Sequence, residues 1–144
     1  MHSVERSVLV PYSASQMFDL VADVEKYPLF MPWCGGATVA SRHDKGMQAS
    51  ITISLAGIKQ TFTTRNTHHY PDCIELELVD GPFSALLGKW EFKSLSEDAC
   101  KVLFTLNYAF SSRTLETLVG PIFNRIATSF IDSFTQRAQV CYGE

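Results

Sequence analysis

The sequence predicts an α+β fold: a curved seven-stranded antiparallel sheet wrapped around one long C-terminal helix, with two short helices after the first strand. Three observations carry this. Apolar and polar residues alternate with period two from Thr38 to Phe110, the period changes to 3.6 after Ser111-Ser112, and a capped amphipathic segment separates the first strand from the others. The chain has 144 residues, the size of one domain, and such a chain buries roughly 68–70% of its unfolded surface. We read residues 1–144 as a single domain. With 46% hydrophobic and 19% charged residues, disorder and low-complexity scaffolds are excluded.

The elements follow in chain order. Val4–Val10 is rich in β-branched residues and stops at Pro11. Ser13-Ala14-Ser15-Gln16 matches a capping box, which predicts a helix over about 14–24 with Met17, Phe18, Leu20, Val21 and Val24 on its apolar face. Lys26-Tyr27-Pro28 and Met31-Pro32-Trp33 then restrict the backbone twice, predicting one short helical turn and an aromatic loop ending at Gly35-Gly36. Turn signals at Asp44-Lys45-Gly46, Ala56-Gly57, Tyr70-Pro71-Asp72, Asp80-Gly81-Pro82 and Ser96-Glu97-Asp98 divide the next stretch into six strands. Connections this short favour antiparallel pairing, because parallel neighbours need crossovers of a dozen or more residues. From Leu115 to Phe134 an apolar stripe marks the long helix, with a kink or a fresh start expected at Gly120-Pro121.

Twelve basic residues against fifteen acidic ones give a net charge of −3, so no global field draws the chain to DNA or anionic lipid. Arg113, Arg125 and Arg137 recur every twelve positions, which turns successive residues about 120° around a helix and builds no basic stripe. Cys34, Cys73, Cys100 and Cys141 match neither a disulfide framework nor a metal knuckle and read as reduced, mostly buried thiols. Cys34 lacks a signature pairing it with a histidine base. His68 and His69 are adjacent on a strand and point to opposite faces, so that strand cannot present both to one metal. His2 and His43 read as solvated residues, His2 in a frayed terminus.

A sheet curling around a helix leaves a space between them. Its predicted lining is Ile53, Phe62, Leu76, Trp90, Phe92, Phe104 and Tyr108 from the strands, with Ile122, Phe123, Ile126 and Phe130 from the helix.

Three ordered blocks carry a family resemblance: Phe18-Asp19-Leu20-Val21-Ala22-Asp23-Val24-Glu25-Lys26-Tyr27-Pro28, then Phe30-Met31-Pro32-Trp33-Cys34, then Gly81-Pro82-Phe83 followed by Leu86, Gly88, Trp90 and Phe92. They resemble the coenzyme-Q-binding and ribosome-association-toxin branch of the START-like (helix-grip, polyketide-cyclase-like) superfamily, over Val4 to Gly143. The resemblance implies a non-catalytic protein with an apolar pocket for ubiquinone or a similar long-chain lipid, supporting respiratory quinone function. It implies, as the alternative, a toxin that binds the large ribosomal subunit and blocks subunit joining. Relatives often carry a basic residue after Gly81-Pro82-Phe83, where this chain has Ser84-Ala85, which weakens an argument from local charge.

Under this reading Phe30, Met31, Pro32 and Trp33 form either ordinary packing or an aromatic lip at the cavity mouth. Phe83 and Leu86 form either a plain turn or a flexible entrance that touches the membrane during ligand exchange. Thr64 and Asn66 share the strand face of Phe62 and are the candidates for holding a quinone head group, the alternative being a bond to a neighbouring strand or a buried water. No metal and no cofactor beyond the bound lipid is expected. An enzyme would need a buried titratable pair, and the predicted interior holds none. The expected location is the cytoplasm, with peripheral contact at the inner membrane, since no leader and no apolar run of about 18 residues is present.

Overall fold

A computed structural model describes residues 1–143 and orders the chain as β1 (His2–Val10), α1 (Ala14–Ala22), a 3₁₀ helix (Val24–Leu29), β2 (Cys34–His43), β3 (Gly46–Leu55), β4 (Ile58–His69), β5 (Cys73–Asp80), β6 (Phe83–Ser96), β7 (Ala99–Phe110) and α2 (Arg113–Tyr142). The seven strands form one antiparallel sheet in the order β1-β7-β6-β5-β4-β3-β2. Strands β2 to β7 are thus a meander, and β1 closes onto its last strand. Ala56 and Gly57 both have positive φ, 54° and 79°, which is the type I′ hairpin geometry joining β3 to β4. Register shifts between Cys34 and Gly36, Val39 and Ser41, Thr63 and Thr64, and Phe83 and Ala85 bend the strands locally. Such bulges let the sheet curl toward α2.

The alternation sets the concave face as expected. Cys100, Val102, Phe104, Leu106 and Tyr108 of β7 are all buried, as are Leu86, Gly88, Trp90 and Phe92 of β6. Against them α2 lays Val119, Phe123, Ile126, Ala127, Ile131, Phe134 and Ala138, all buried at spacings of three and four. The capping box at α1 is formed on both sides: Gln16 N–H donates to Ser13 Oγ at 3.1 Å, and Ser13 N–H donates to Gln16 Oε1 at 2.9 Å.

Three expectations are corrected. The long helix makes no fresh start at Gly120-Pro121 and continues as one helix from Arg113 to Tyr142. Proline removes one backbone bond there, but the apolar stripe keeps its phase on both sides, and Gly120, without a side chain, sits against the Phe110 ring, where a Cβ would lie 3.6 Å away. Tertiary packing holds the helix across that gap. The aromatic loop ends sooner than expected, with β2 starting at Cys34, because Ser54 N–H donates to Trp33 O at 2.7 Å and Cys34 pairs with Ile53. His2 is no frayed residue: it pairs with Tyr108, stacks on that ring at 5.2 Å and meets Glu116 at 2.8 Å. No helix among the described residues is long and apolar enough to cross a membrane.

Candidate functional site

The sheet and α2 enclose a narrow cavity of about 50 Å³. Five strands and three helices contribute to its wall. Ile51 comes from β3; Phe62, Thr64, Asn66 and His68 from β4; Ile74 and Leu76 from β5; Leu86 and Trp90 from β6; Phe104 and Leu106 from β7. α2 supplies Phe123, Phe130 and Phe134, while Val21, Ala22, Val24 and Tyr27 from α1 and the 3₁₀ helix complete it.

Nine of the residues singled out from sequence therefore line the space: Phe62, Thr64, Asn66, Leu76, Leu86, Trp90, Phe104, Phe123 and Phe130. The other eight lie elsewhere, Ile53 among them as a buried core residue of β3. Trp33 packs one layer behind, on Phe130 at 5.6 Å, and Phe92 lies parallel to Trp90 at 6.3 Å. Phe30 packs on Phe134 at 5.7 Å, with the Arg137 guanidinium 5.0 Å from the centre of its ring. Phe83 and Tyr108 belong to an aromatic cluster with Phe62, Phe110 and Phe123, in which Phe83 lies 4.9 Å from Phe123 and 5.0 Å from Phe110. Ile126 is buried and Ile122 half-buried on α2 outside the lining. Met31, Trp33 and Phe83 are each buried, Trp33 and Phe83 within aromatic packing.

Nine lining residues were missing from the sequence reading. For His68 the signal was present: it shares the parity of Phe62, Thr64 and Asn66 along β4, so it must point inward when they do. Ile51 and Leu106 follow from the same rule, and Phe134 from the helix stripe. Ile74 likewise shares the parity of Leu76 on β5, whereas Val21, Ala22, Val24 and Tyr27 have no such local signal, since only the packing of α1 and the 3₁₀ helix onto the sheet brings them there.

The polar groups of this wall are few and defined. Thr64 Oγ1 donates to Asn66 Oδ1 at 2.6 Å. Tyr27 donates its hydroxyl to the Val21 carbonyl, and burial pushes its pKa up, so the phenol stays protonated. His68 Nε2 is buried without a hydrogen-bond partner among the described residues. Burial, and then the charges of Arg42, His43 and His69, hold His68 below its ordinary value of 6.5, so its ring is neutral at pH 7. Protonation then favours the unfolded chain, in which the ordinary value returns. Stability contributed by His68 is complete above pH 6.5 and falls as the pH drops below it, and His68→Leu should flatten that acid limb in urea titrations at successive pH values. Cys34 donates its S–H to Gly36 O at 3.4 Å, and burial raises its pKa. A thiol held protonated in this way is a poor nucleophile.

Residues 10–135 match the family model described as polyketide cyclase / dehydrase and lipid transport. A protein of Vibrio cholerae named ribosome association toxin RatA is 46% identical over 144 residues, the whole of both chains. A mitochondrial coenzyme Q-binding protein of Drosophila melanogaster is 27% identical over 135 residues, 91% of this chain and 56% of that one. Among solved structures, an 18 kDa protein of Caulobacter crescentus, 31% identical, superposes over 100% of both chains with a TM-score of 0.76. A START superfamily protein of Mycobacterium smegmatis, 19% identical, shares the fold alone, with a TM-score of 0.78 over 98% of this chain and 99% of the other. The curved sheet gripping one long helix is thus the START-like helix-grip fold, and the chain belongs to the polyketide cyclase / dehydrase and lipid transport family, in the company of the RatA proteins.

Proposed function

We propose that this chain acts by ribosome association, as the toxin relatives are named, binding the large ribosomal subunit and blocking subunit joining. The observation that carries this is the 46% identity to such a relative from end to end of both chains, against 27% to the coenzyme Q-binding relative. The surface rather than the cavity would do this work, through contacts with RNA phosphates that weaken as salt rises. The expected result of overexpression is a sucrose-gradient profile with fewer joined ribosomes and more free subunits. An unchanged ratio rejects the reading.

A second reading concerns the cavity, and its support is the geometry itself: an enclosed wall of aliphatic and aromatic side chains interrupted by three polar residues on β4. We propose that it receives an oxygen-bearing apolar ligand of the isoprenoid quinone class, driven by apolar burial at about 25 cal/mol per Å². The present volume of about 50 Å³ is far below the roughly 300–1,000 Å³ of ordinary ligand sites. Entry therefore requires the aromatic side chains at its walls to turn aside. The titratable groups of the lining are Tyr27 and His68, both held uncharged, which favours binding over acid–base catalysis. Mass spectrometry of an organic extract from protein purified without detergent is expected to find a stoichiometric isoprenoid lipid, and an empty extract from folded protein speaks against it.

A further inference from the structure

A second depression, of about 210 Å³, lies outside the sheet–helix chamber, where α1 and the 3₁₀ helix meet the C-terminal part of α2. Its wall carries two carboxylates, Asp19 and Asp23, and two cations, Lys26 and Arg137, together with the apolar side chains of Leu20 and Phe30. None of the four charged groups forms an ion pair among the described residues. The acidic pair is placed against its local electrostatics. Asp19 and Asp23 stand four apart at the last turn and C-cap of α1, on one side of the helix and at the negative end of its dipole, and no basic residue occupies that turn. Burial raises the Asp19 pKa, which marks a carboxylate partly removed from water. Arg137 is held in place, since its guanidinium lies 5.0 Å from the centre of the Phe30 ring, and the stacking leaves its fork of N–H donors available. Asp19, Asp23 and Lys26 all belong to the sequence block that carries the family resemblance, yet none of them lines the sheet–helix chamber.

We infer that this depression is a binding site for a small zwitterion, an ammonium and a carboxylate on one apolar body, as in a free α-amino acid with an apolar side chain. The ammonium lies against Asp19 and Asp23, the carboxylate against Arg137 and Lys26, and the side chain against Leu20 and Phe30. The inference depends on neither the ribosome reading nor the quinone reading. Charge decides the class of ligand. The wall holds two charges of each sign, so a purely anionic molecule meets two carboxylates and a purely cationic one meets two cations. A molecule with both charges relieves the like-charge pair on α1 and gives the Arg137 fork an acceptor of matching geometry. Size decides the scale. A space of about 210 Å³ is below the roughly 300–1,000 Å³ of drug-sized sites and suits a single small metabolite.

The test uses the full chain, labelled with ¹⁵N, and three probes that share a phenyl ring on a two-carbon stem: phenylalanine, phenethylamine and 3-phenylpropanoate. The first carries both charges, the second the ammonium alone and the third the carboxylate alone. Phenylalanine is expected to move the amide signals of residues 19–30 and 137–142, and to reach half-saturation at about tenfold lower concentration than either of the others, a ratio that one charge-assisted contact supplies. In Arg137→Gln phenylalanine should fall to the level of phenethylamine, whose own binding is not weakened. In the double variant Asp19→Asn, Asp23→Asn it should fall to the level of 3-phenylpropanoate. Equal binding of the three probes by the natural protein overturns the inference, as does tighter binding of either singly charged probe. Shifts confined to the lining of the sheet–helix chamber overturn it as well, because the ring alone would then choose the site. No shift by phenylalanine up to its solubility limit does the same. Because the three-probe comparison is made on the natural chain, it decides the matter even if a variant does not fold.

Discussion

Phe104→Ala should lower the unfolding free energy by about 3–5 kcal/mol, the range for emptying a buried aromatic site. Phe104 is 0% exposed, lies tilted against Trp90 with centroids 4.4 Å apart and meets Phe130 at 5.5 Å, so it ties β7, β6 and α2 together at the cavity wall. Its neighbours are themselves fixed, with Trp90 edge-on to Phe134 at 5.2 Å, and they cannot collapse into the gap. At roughly 2–4 °C per kcal/mol for a chain near this size, the melting temperature should fall by about 10 °C. The same change enlarges the chamber. Apolar dye should consequently bind the variant more tightly than the natural protein, the opposite of what a merely damaged fold would do. Calorimetry together with dye titration checks both halves, and a stability loss under about 1 kcal/mol would contradict the packing described.

Gly46→Ala should be nearly as damaging, by about 3 kcal/mol, for a different reason. Gly46 opens β3 and pairs with Thr67 of β4, and a Cβ built on it would lie 1.9 Å from the Asn66 carbonyl oxygen and 3.2 Å from Thr67 Cα. Both are backbone atoms, so no side chain can turn aside. The strands must part at the end of the ladder where His68 N–H donates to Lys45 O at 2.7 Å. Since Asn66 and His68 project into the cavity from that segment, the displacement should also disturb the polar row. Hydrogen exchange of the β3 and β4 amides, read beside a urea unfolding curve, is the measurement. Unchanged protection at this end would mean that the two strands do not meet in this register.

What the sequence by itself determined was direction. Period two told which side chains of β4, β6 and β7 face inward, and period 3.6 told which stripe of α2 meets them, because both follow from local backbone geometry. The capping box at Ser13 and the turn at Ala56-Gly57 were legible for the same reason, as each is completed within four residues. Facing inward is a different matter from lining a void. Phe92 and Ile126 point to the core and are packed over, while Phe104 and Phe130 border empty space. That distinction depends on how far the bulged sheet stands from α2, a quantity summed over contacts distant in sequence. Tertiary structure also decided that α1 and the 3₁₀ helix form part of the wall through Val21 and Tyr27, and that α2 runs on through Pro121 despite its missing backbone bond. His68 shows both levels at once. Parity put it inside, but only the packing around it, edge-on to Phe18, left its Nε2 buried and without a partner among the described residues.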